Sequence, residues 1–259
     1  MSIYFIGAGP GAPDLITVRG ATLIERCPLV IYTGSLVPRE MLDRAHPEAR
    51  VLDSKGMTLE EMIEVMVETH RAGQDVARVH TGDPAIYGAI AEQIRRLDEL
   101  EIPWEIVPGV SSYSGAAAVL GKELTLPEEV QTVILSRIEG RTPMPEKEKL
   151  HDLARHESTL CLFLSITLMK KMQEELIPSY GADCPVAVVH KATCPDQKIV
   201  LGTLADIADK VREAGIRSQS MILVGRFLSS TDFADSRLYD AGFSHKFRKA
   251  AKSSEGTTG

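Results

Sequence analysis

Short runs of apolar residues alternate along the chain with longer segments in which apolar residues recur every three or four positions. The short runs have the length and β-branched content of buried strands, and the longer segments have the period of amphipathic helices. This alternation is typical of α/β proteins in which helices cover mostly parallel sheets. The predicted strands are 3–7, 29–33, 50–53, 75–80 and 104–109 in the first half, and 132–137, 159–165, 185–193, 198–204 and 220–225 in the second.

Helices are predicted between these strands. The clearest is 59–73, where apolar residues share one helical face and Gly73 follows as a stop signal. We assign that face to the core. The other helices are predicted at 15–26, 38–45, 85–100, 111–120, 146–156, 167–178 and 204–214.

A charged, turn-rich stretch, GKELTLPEEVQ, separates the two series. We therefore expect two α/β domains with mostly parallel sheets, 1–124 and 125–229, and a ligand cleft between them. From about residue 230 the chain is basic, rich in Ser and Gly and without periodicity. The segment 230–259 is therefore predicted to be a mobile tail, with contact to a partner as the alternative.

Composition and charge exclude several classes of protein. The formal net charge is −7 and no basic stripe is present, which argues against a nucleic-acid partner. No apolar run reaches the ~18 residues of a membrane span, and the start lacks a secretory signal. The cysteines form no C-x-x-C pair and the histidines no metal-ligand spacing, so we expect a cytoplasmic protein with free thiols and without a metal site. The cysteines are Cys27, Cys161, Cys184 and Cys194.

The loop after the first predicted strand reads GAGPGAPDLITVRG. Gly7, Gly9 and Ala12 have the spacing of a dinucleotide-binding loop. However, Pro10 and Pro13 remove backbone N–H groups that would cradle a pyrophosphate, and no acidic residue ends the second strand. The loop favours close backbone approach to a ligand. An NAD-dependent oxidoreductase and a non-catalytic nucleotide binder remain the alternatives of another class.

Two further loops, VHTGDPAIYGA and VPGVSSYSGAAAVLG, follow the fourth and fifth strands. In the first, Asp83 either binds an ammonium group or caps its own helix, and the sequence leaves both open. In the second, Gly109 precedes the hydroxyl groups of Ser111 and Ser112. Small residues at three strand ends predict one cleft at the carboxyl edge of the sheet.

Taken in order, these loops together with SRIEGRTPMP and HKATCPDQKIV resemble the tetrapyrrole methylases over about residues 2–228. That family consists of S-adenosylmethionine-dependent methyltransferases of the corrin and sirohaem pathways. The loop SRIEGRTPMPEKEKL is most similar to members that methylate precorrin-4 at C-11 in cobalamin biosynthesis. Cobalt-precorrin-4 and uroporphyrinogen-III are the alternative substrates. The resemblance also implies a homodimer and S-adenosylhomocysteine as a product.

The resemblance further implies which residues line the cofactor site between the domains. The cofactor contacts that it implies are Pro10, Gly82, Asp83, Ile86, Tyr87, Ser111, Ser112, Phe163, Leu164, Ala192, Met221 and Leu223.

The implied substrate is an anionic tetrapyrrole, and an enzyme with a net negative charge must gather positive groups locally. Arginine suits this role because its planar fork binds a carboxylate at two points. Methyl transfer from a sulfonium requires mainly positioning, so no catalytic nucleophile is expected. Tyr113, Glu139 and His80 are the candidates for proton acceptor, and none is assigned. The predicted substrate contacts are Arg137, Glu139, Arg141, Ser35 and Lys55.

Overall fold

A computed structural model describes residues 1–34, 37, 39–237, 240 and 242–249. Strands and helices alternate as predicted, and the strands form two five-stranded sheets. The first sheet contains β1 (Ile3–Gly7), β2 (Leu29–Tyr32), β3 (Arg50–Asp53), β4 (Val76–His80) and β5 (Trp104–Val107), and the second contains β6 (Val133–Arg137), β7 (Thr159–Phe163), β8 (Pro185–His190), β9 (Lys198–Thr203) and β10 (Ser220–Val224). The α-helices are α1 (Val18–Arg26), α2 (Arg39–Leu42), α3 (Leu59–Arg71), α4 (Ala91–Glu99), α5 (Ser112–Leu120), α6 (Leu150–Leu153), α7 (Met169–Tyr180) and α8 (Ile207–Glu213).

The first sheet is parallel throughout and has the strand order β3-β2-β4-β1-β5. An apolar cluster covers each face, one around Ile6 and Val79 and the other around Phe5 and Ile31. Burial on both faces explains why these strands read as nearly continuous apolar runs. Because all five strands are parallel, the loops after β1, β4 and β5 meet at one edge of the sheet.

The second sheet has the order β6-β7-β10-β8-β9 and is mixed. β6 and β7 are parallel, but β10 pairs antiparallel with β7 and β8, and β8 pairs antiparallel with β9. The α/β class with mostly parallel strands is confirmed, because every pairing in the first sheet and the β6–β7 pairing in the second are parallel. The connection from β8 to β9 spans only residues 191–197, too few for the crossover that parallel pairing needs.

Helix α5 lies between the two sheets. One face of the second sheet is covered by α7 and α8, which contribute Met172 and Ile207 to its core. The opposite face carries Cys161, Ala187 and Leu223 and packs against Ala116 of α5. A helix of the first unit therefore completes the core of the second.

The helix before β5 begins later than predicted. α4 starts at Ala91 rather than at residue 85, because 84–90 forms a turn in which Tyr87 and Ala89 have φ values of 55° and 50°. Positive φ values are incompatible with a right-handed helix. The helix predicted at 38–45 is the four-residue α2. The helix predicted at 146–156 is confirmed in its extent but is built from α6 with a 3-10 helix on each side, Glu146–Glu148 and Ala154–His156.

Two predictions about the ends and limits of the chain stay predictions. In the described part of 230–259, His245 and Arg248 form an isolated β-bridge, and Arg237 pairs with Glu128 at 3.7 Å. The predicted tail and the domain limit at residue 125 therefore remain expectations. Across the described ranges, no helix is long and apolar enough to cross a bilayer.

Candidate active site

A cavity of about 880 Å³ lies between the two sheets, where the sequence predicted a cleft. The first unit lines it with the loops that follow β1, β4 and β5. The second unit contributes the ends of β7 and β8, the loop after β8 and the start of β10. Of the predicted cofactor contacts, those that line the cavity are Pro10, Gly82, Asp83, Ile86, Tyr87, Ser111, Ser112, Phe163, Leu164, Ala192 and Met221.

Three glycines bring the loops of the first unit together. A Cβ on Gly7 would lie 2.5 Å from the carbonyl oxygen of Gly82 and 2.6 Å from Cα of Gly109, so none of these loops leaves room for a side chain here. The N–H of Gly82 donates to the carbonyl of Gly9 at 2.8 Å, which ties the first loop to the second. Gly7 and Gly109 are therefore required by close packing of backbone, and Gly82 is favoured by its φ of 61°. The parts of these loops that line the cavity include Pro10, Gly82 and Ser111.

Asp83 joins the second loop to the third. Its Oδ1 accepts a hydrogen bond from the N–H of Ala85 at 2.8 Å, and its Oδ2 accepts one from the N–H of Gly109 at 3.3 Å. The carboxylate therefore closes a turn rather than capping α4, which begins eight residues later at Ala91. Asp83 is half-buried and lines the cavity.

The third loop ends at the first turn of α5. Ser111 is buried at the N-cap position, and its side chain makes no capping hydrogen bond. Ser112 is the first residue of the helix. A Cβ on Gly115 would meet Cβ of Pro10 at 2.5 Å, so α5 packs directly on the proline of the first loop. The helix N-terminus therefore faces the cavity beside that loop, where its free N–H groups favour an anion.

Aromatic and aliphatic side chains form the wall from the second unit. Phe163 is buried and its ring lies 5.1 Å from that of Tyr87, measured between centroids. Leu164 is 71% exposed and has a φ of 53°, so the chain turns out of β7 at the cavity. Ala192 and Met221 are buried and complete this wall.

Leu223 is the predicted cofactor contact that the structure does not place at the cavity. It is fully buried and pairs with Cys161 and Ala187 in the middle of the sheet. Met221 shares its face of β10 but lies two residues closer to the cavity. The alternation along SMILV identified the correct face but could not show how far the cavity extends.

The four predicted substrate contacts that the structure describes, Arg137, Glu139, Arg141 and Lys55, do not line this cavity. The guanidinium of Arg137 donates to the carbonyls of Thr142 at 3.1 Å and Pro143 at 2.7 Å and closes its own loop. Glu139 accepts from the N–H of Met144 at 3.0 Å, and that bond holds the pKa of its carboxyl below the usual range. These two residues shape the loop, and their contact with substrate stays a prediction.

The other predicted substrate contacts lie on the surface or outside the described residues. Arg141 is exposed. Lys55 is 76% exposed in its side chain and pairs with Asp53 at 3.1 Å. Ser35 lies outside the residues that the structure describes.

Sequence reasoning missed a cluster of polar side chains that line the cavity. In this cluster Arg78 donates hydrogen bonds to Gln93 and Thr33, and we call this part of the cavity its floor. A single arginine inside the apolar run DVARVH was the available signal. His80, two residues further along β4, was considered only as a proton acceptor. Burial and the neighbouring Arg78 lower its pKa to about 3, so the imidazole is neutral at physiological pH and a weak base. Tyr113, the third candidate for proton acceptor, packs against the cluster around Ala116.

Comparisons with known proteins agree with this geometry. The family model of the Tetrapyrrole (Corrin/Porphyrin) Methylases matches residues 2–208. A precorrin-4 C(11)-methyltransferase of Pseudomonas aeruginosa is 54% identical over 248 residues, which cover 96% of this chain and 99% of that protein. A cobalt-precorrin-4 C(11)-methyltransferase of Priestia megaterium is 52% identical and covers 98% of this chain and 100% of that protein.

Solved structures share the fold. The X-ray structure of a cobalt precorrin-4 methyltransferase has a TM-score of 0.87 and 52% identity, and the match covers 88% of this chain and 96% of that one. A uroporphyrin-III C-methyl transferase from Thermus thermophilus, solved with S-adenyl homocysteine, has a TM-score of 0.74 at 24% identity and covers 88% and 94%. The second similarity concerns the fold alone.

Proposed function

The chain belongs to the tetrapyrrole methylase family, and we propose that it transfers a methyl group from S-adenosylmethionine to carbon 11 of precorrin-4 or of cobalt-precorrin-4. Relatives of both names are about equally similar to it, at 54% and 52% identity over nearly the whole chain. The proposal therefore leaves open whether the macrocycle contains cobalt, and it places the reaction in cobalamin biosynthesis.

The observation that carries the proposal is the single cavity that both units line. All the residues that the resemblance implied as cofactor contacts, except Leu223, border it. They come from six separate segments of the chain, so their convergence is a property of the fold and not of any one motif. The volume of about 880 Å³ is in the range of small-molecule sites.

The residues present fit S-adenosylmethionine. Asp83 offers a carboxylate to the methionyl ammonium, and the N-terminus of α5 at Ser112 offers N–H groups to its carboxylate. Phe163, Ala192 and Met221 form an apolar slot suited to adenine. S-adenosylmethionine supplies an electrophilic methyl group when bound, and S-adenosylhomocysteine is the product.

The chain's contribution to the reaction is chiefly to hold two partners in line. An electron-rich pyrrole carbon is already nucleophilic, so positioning in near-attack geometry can supply roughly 7–11 kcal/mol of the barrier reduction. Phe163 and Met221 are buried and apolar, so the part of the cavity that they line disfavours water when a ligand is bound. The proton acceptor stays unassigned, because the low pKa of His80 makes it a weak base and Glu139 is engaged by its own loop.

The tetrapyrrole is proposed to approach over the loop of the second unit that contains Arg141. This arginine is exposed and near the structured loop that Arg137 and Glu139 hold in place. Lys55 lies on the loop after β3, at the edge of the first sheet where the loops after β1, β4 and β5 also lie. Contacts between these residues and substrate carboxylates would be electrostatic and therefore sensitive to salt.

We further propose a homodimer that works in the cytoplasm, with neither nucleic acid nor membrane as a partner. Free, buried thiols at Cys27, Cys161 and Cys184 suit a reducing compartment. The edge strand β9 exposes Ile199 and Leu201, which a second copy of the chain would cover. A net charge of −7 disfavours nucleic acid as a partner.

Titration calorimetry tests the cofactor site. We expect S-adenosylhomocysteine to bind and NAD not to bind. Asp83→Asn keeps the shape of the side chain but removes the charge on which the ammonium depends, so affinity should fall about 10- to 100-fold. Arg95→Met, on the exposed side of α4, is the matched control and should leave affinity unchanged. NAD binding without S-adenosylhomocysteine binding would favour the oxidoreductase instead.

A further inference from the structure

Arg78 lies in the centre of the first sheet, where a charged residue is unusual. It is the third residue of β4, which is paired on both sides by β1 and β2. The residue is only 4% exposed, yet it lines the cavity. A charge taken this far from water is costly unless it is compensated.

The partners of this guanidinium are all neutral. Nε donates to Oε1 of Gln93 at 3.3 Å, and Nη1 donates to the carbonyl of Ile31 and to Oγ1 of Thr33, both at 3.4 Å. These contacts are longer than the usual ~2.9 Å. Across the described residues, Arg78 makes no salt bridge and its Nη2 donates no hydrogen bond. Burial lowers its pKa to about 10, so it still carries a proton at neutral pH.

The group that holds Arg78 is itself fixed in place. Gln93 is 2% exposed, and its Nε2 donates to the carbonyl of Ala89 at 2.8 Å, which turns Oε1 toward Arg78. The guanidinium is thus oriented before any ligand arrives. Preorganised donors of this kind bind a carboxylate without a further entropic cost of ordering the side chain.

A second polar side chain, which has an unpartnered nitrogen, lies beside Arg78. His80 is two residues along on the same face of β4, is 4% exposed and also lines the cavity. Its Nε2 is buried without a hydrogen-bond partner in the described part of the chain. Two incompletely satisfied polar side chains at one end of a cavity indicate that a bound ligand completes their environment.

We propose that Arg78 binds one carboxylate of the tetrapyrrole at the floor of the cavity and thereby orients the macrocycle for methyl transfer. This inference rests on the proposed function. The floor of the cavity is lined by Arg78 together with Thr33, Gln93 and His80. None of these residues is among those implied as cofactor contacts.

The other charged residues that line the first unit's side of the cavity favour this single anchor. Glu40 and Glu92 also line the cavity and repel carboxylates from their own positions. The guanidinium of Arg78 therefore binds one acidic substituent of the macrocycle more favourably than the positions beside Glu40 and Glu92 do. Fixing one substituent removes rotational freedom of a near-symmetric ring, which is what selection of one ring carbon requires.

The test compares the binding of three ligands to the wild-type protein, Arg78→Met and Arg78→Lys. Arg95→Met, on the exposed side of α4, is the matched control. The probes are S-adenosylhomocysteine by calorimetry, uroporphyrin III by fluorescence quenching, and precorrin-4 by its KM. We expect Arg78→Met to weaken uroporphyrin binding and raise KM by about 10- to 100-fold, while S-adenosylhomocysteine affinity stays unchanged. Arg78→Lys should give a smaller loss because it keeps the charge without the fork.

Other results would overturn the inference. Unchanged porphyrin affinity in Arg78→Met would mean that Arg78 does not touch the substrate. Loss of S-adenosylhomocysteine affinity alone would assign the carboxylate to the methyl donor. A large fall in melting temperature with both affinities lost, in Arg78→Lys as well as in Arg78→Met, would indicate that Arg78 has a structural role through its hydrogen bonds to Gln93, Ile31 and Thr33. If the wild-type protein methylates precorrin-4, the proposed function stands whichever of these results is found.

Discussion

The rings of Tyr87 and Phe163 lie 5.1 Å apart and are tilted by 48°. Tyr87 belongs to the turn before α4, and Phe163 is the last residue of β7, so this contact joins the two units at the cavity. The turn that presents Tyr87 has a positive φ there, which is an unfavourable conformation for a bulky residue. The backbone strain is maintained where the two units meet around the site.

Removing the tyrosine ring should affect both stability and cofactor binding. Tyr87→Ala is expected to lower the free energy of unfolding by about 0.5–1.5 kcal/mol through the lost ring contact. It should also weaken S-adenosylhomocysteine binding about tenfold, because one wall of the site is lost. Calorimetry and denaturant unfolding measure the two effects. Tyr87→Phe keeps the ring and should behave as wild type, and a Phe variant as weak as the Ala variant would contradict this account.

The close packing of the glycine loops predicts that a side chain at Gly109 lowers the free energy of unfolding. In Gly109→Ala the new Cβ would meet Cα of Gly7 at 2.7 Å, so backbone must move. We expect a loss of about 1–3 kcal/mol in the free energy of unfolding, together with weaker cofactor binding. Gly56→Ala is the control, since nothing lies within 4 Å of its Cβ, and it should be neutral or slightly stabilising. Equal effects of the two substitutions would show that the close approach has no energetic consequence.

The buried histidine predicts how stability depends on pH. The pKa of His80 is about 3 in the folded chain, below the ~6.5 of an exposed histidine. As pH falls below ~6.5 the unfolded state takes up this proton first, so the folded state loses about 1.4 kcal/mol per pH unit until the folded pKa is reached. Between pH 6 and 4, denaturant unfolding should therefore show wild type losing about 2 kcal/mol more than His80→Gln. Parallel curves for the two proteins would show that His80 protonates freely in the fold.

Cysteine labelling tests which thiols the fold protects. Burial raises the pKa of Cys27 and Cys161 to about 12 and that of Cys184 to about 11. Cys194 is only half-buried and lines the cavity. We expect iodoacetamide to modify Cys194 first, as read by peptide mass, and S-adenosylhomocysteine to slow it. Labelling at an equal rate with and without that ligand would place the cofactor away from this side of the cavity.

The sequence predicted the parts of the fold that depend on local patterns. Burial on both faces produced the continuous apolar runs of the first sheet, and glycines followed by Asp83 or Ser111 marked the loops that line the cavity. These signals are local because close backbone approach requires glycine at particular positions. The order of motifs then supplied the family.

Other features depend on contacts between distant segments and left little trace in the sequence. The short connection after β8 excludes a parallel crossover to β9, but no local pattern shows that β10 inserts antiparallel between β7 and β8. Leu223 has the same apolar character as Met221, yet only the latter reaches the cavity. Arg78 resembled an ordinary polar interruption of a strand until its burial and neutral partners were visible.

The most direct test of the proposed function is to incubate the purified protein with precorrin-4 and S-adenosylmethionine labelled with ¹³C in its methyl group. The account predicts a product heavier by one labelled methyl group, with the carbon-13 signal assigned to the substituent on C-11. A labelled methyl group on another ring carbon would contradict the regiochemistry. Binding of both ligands without transfer, to either precorrin-4 or cobalt-precorrin-4, would contradict the methyltransferase activity itself.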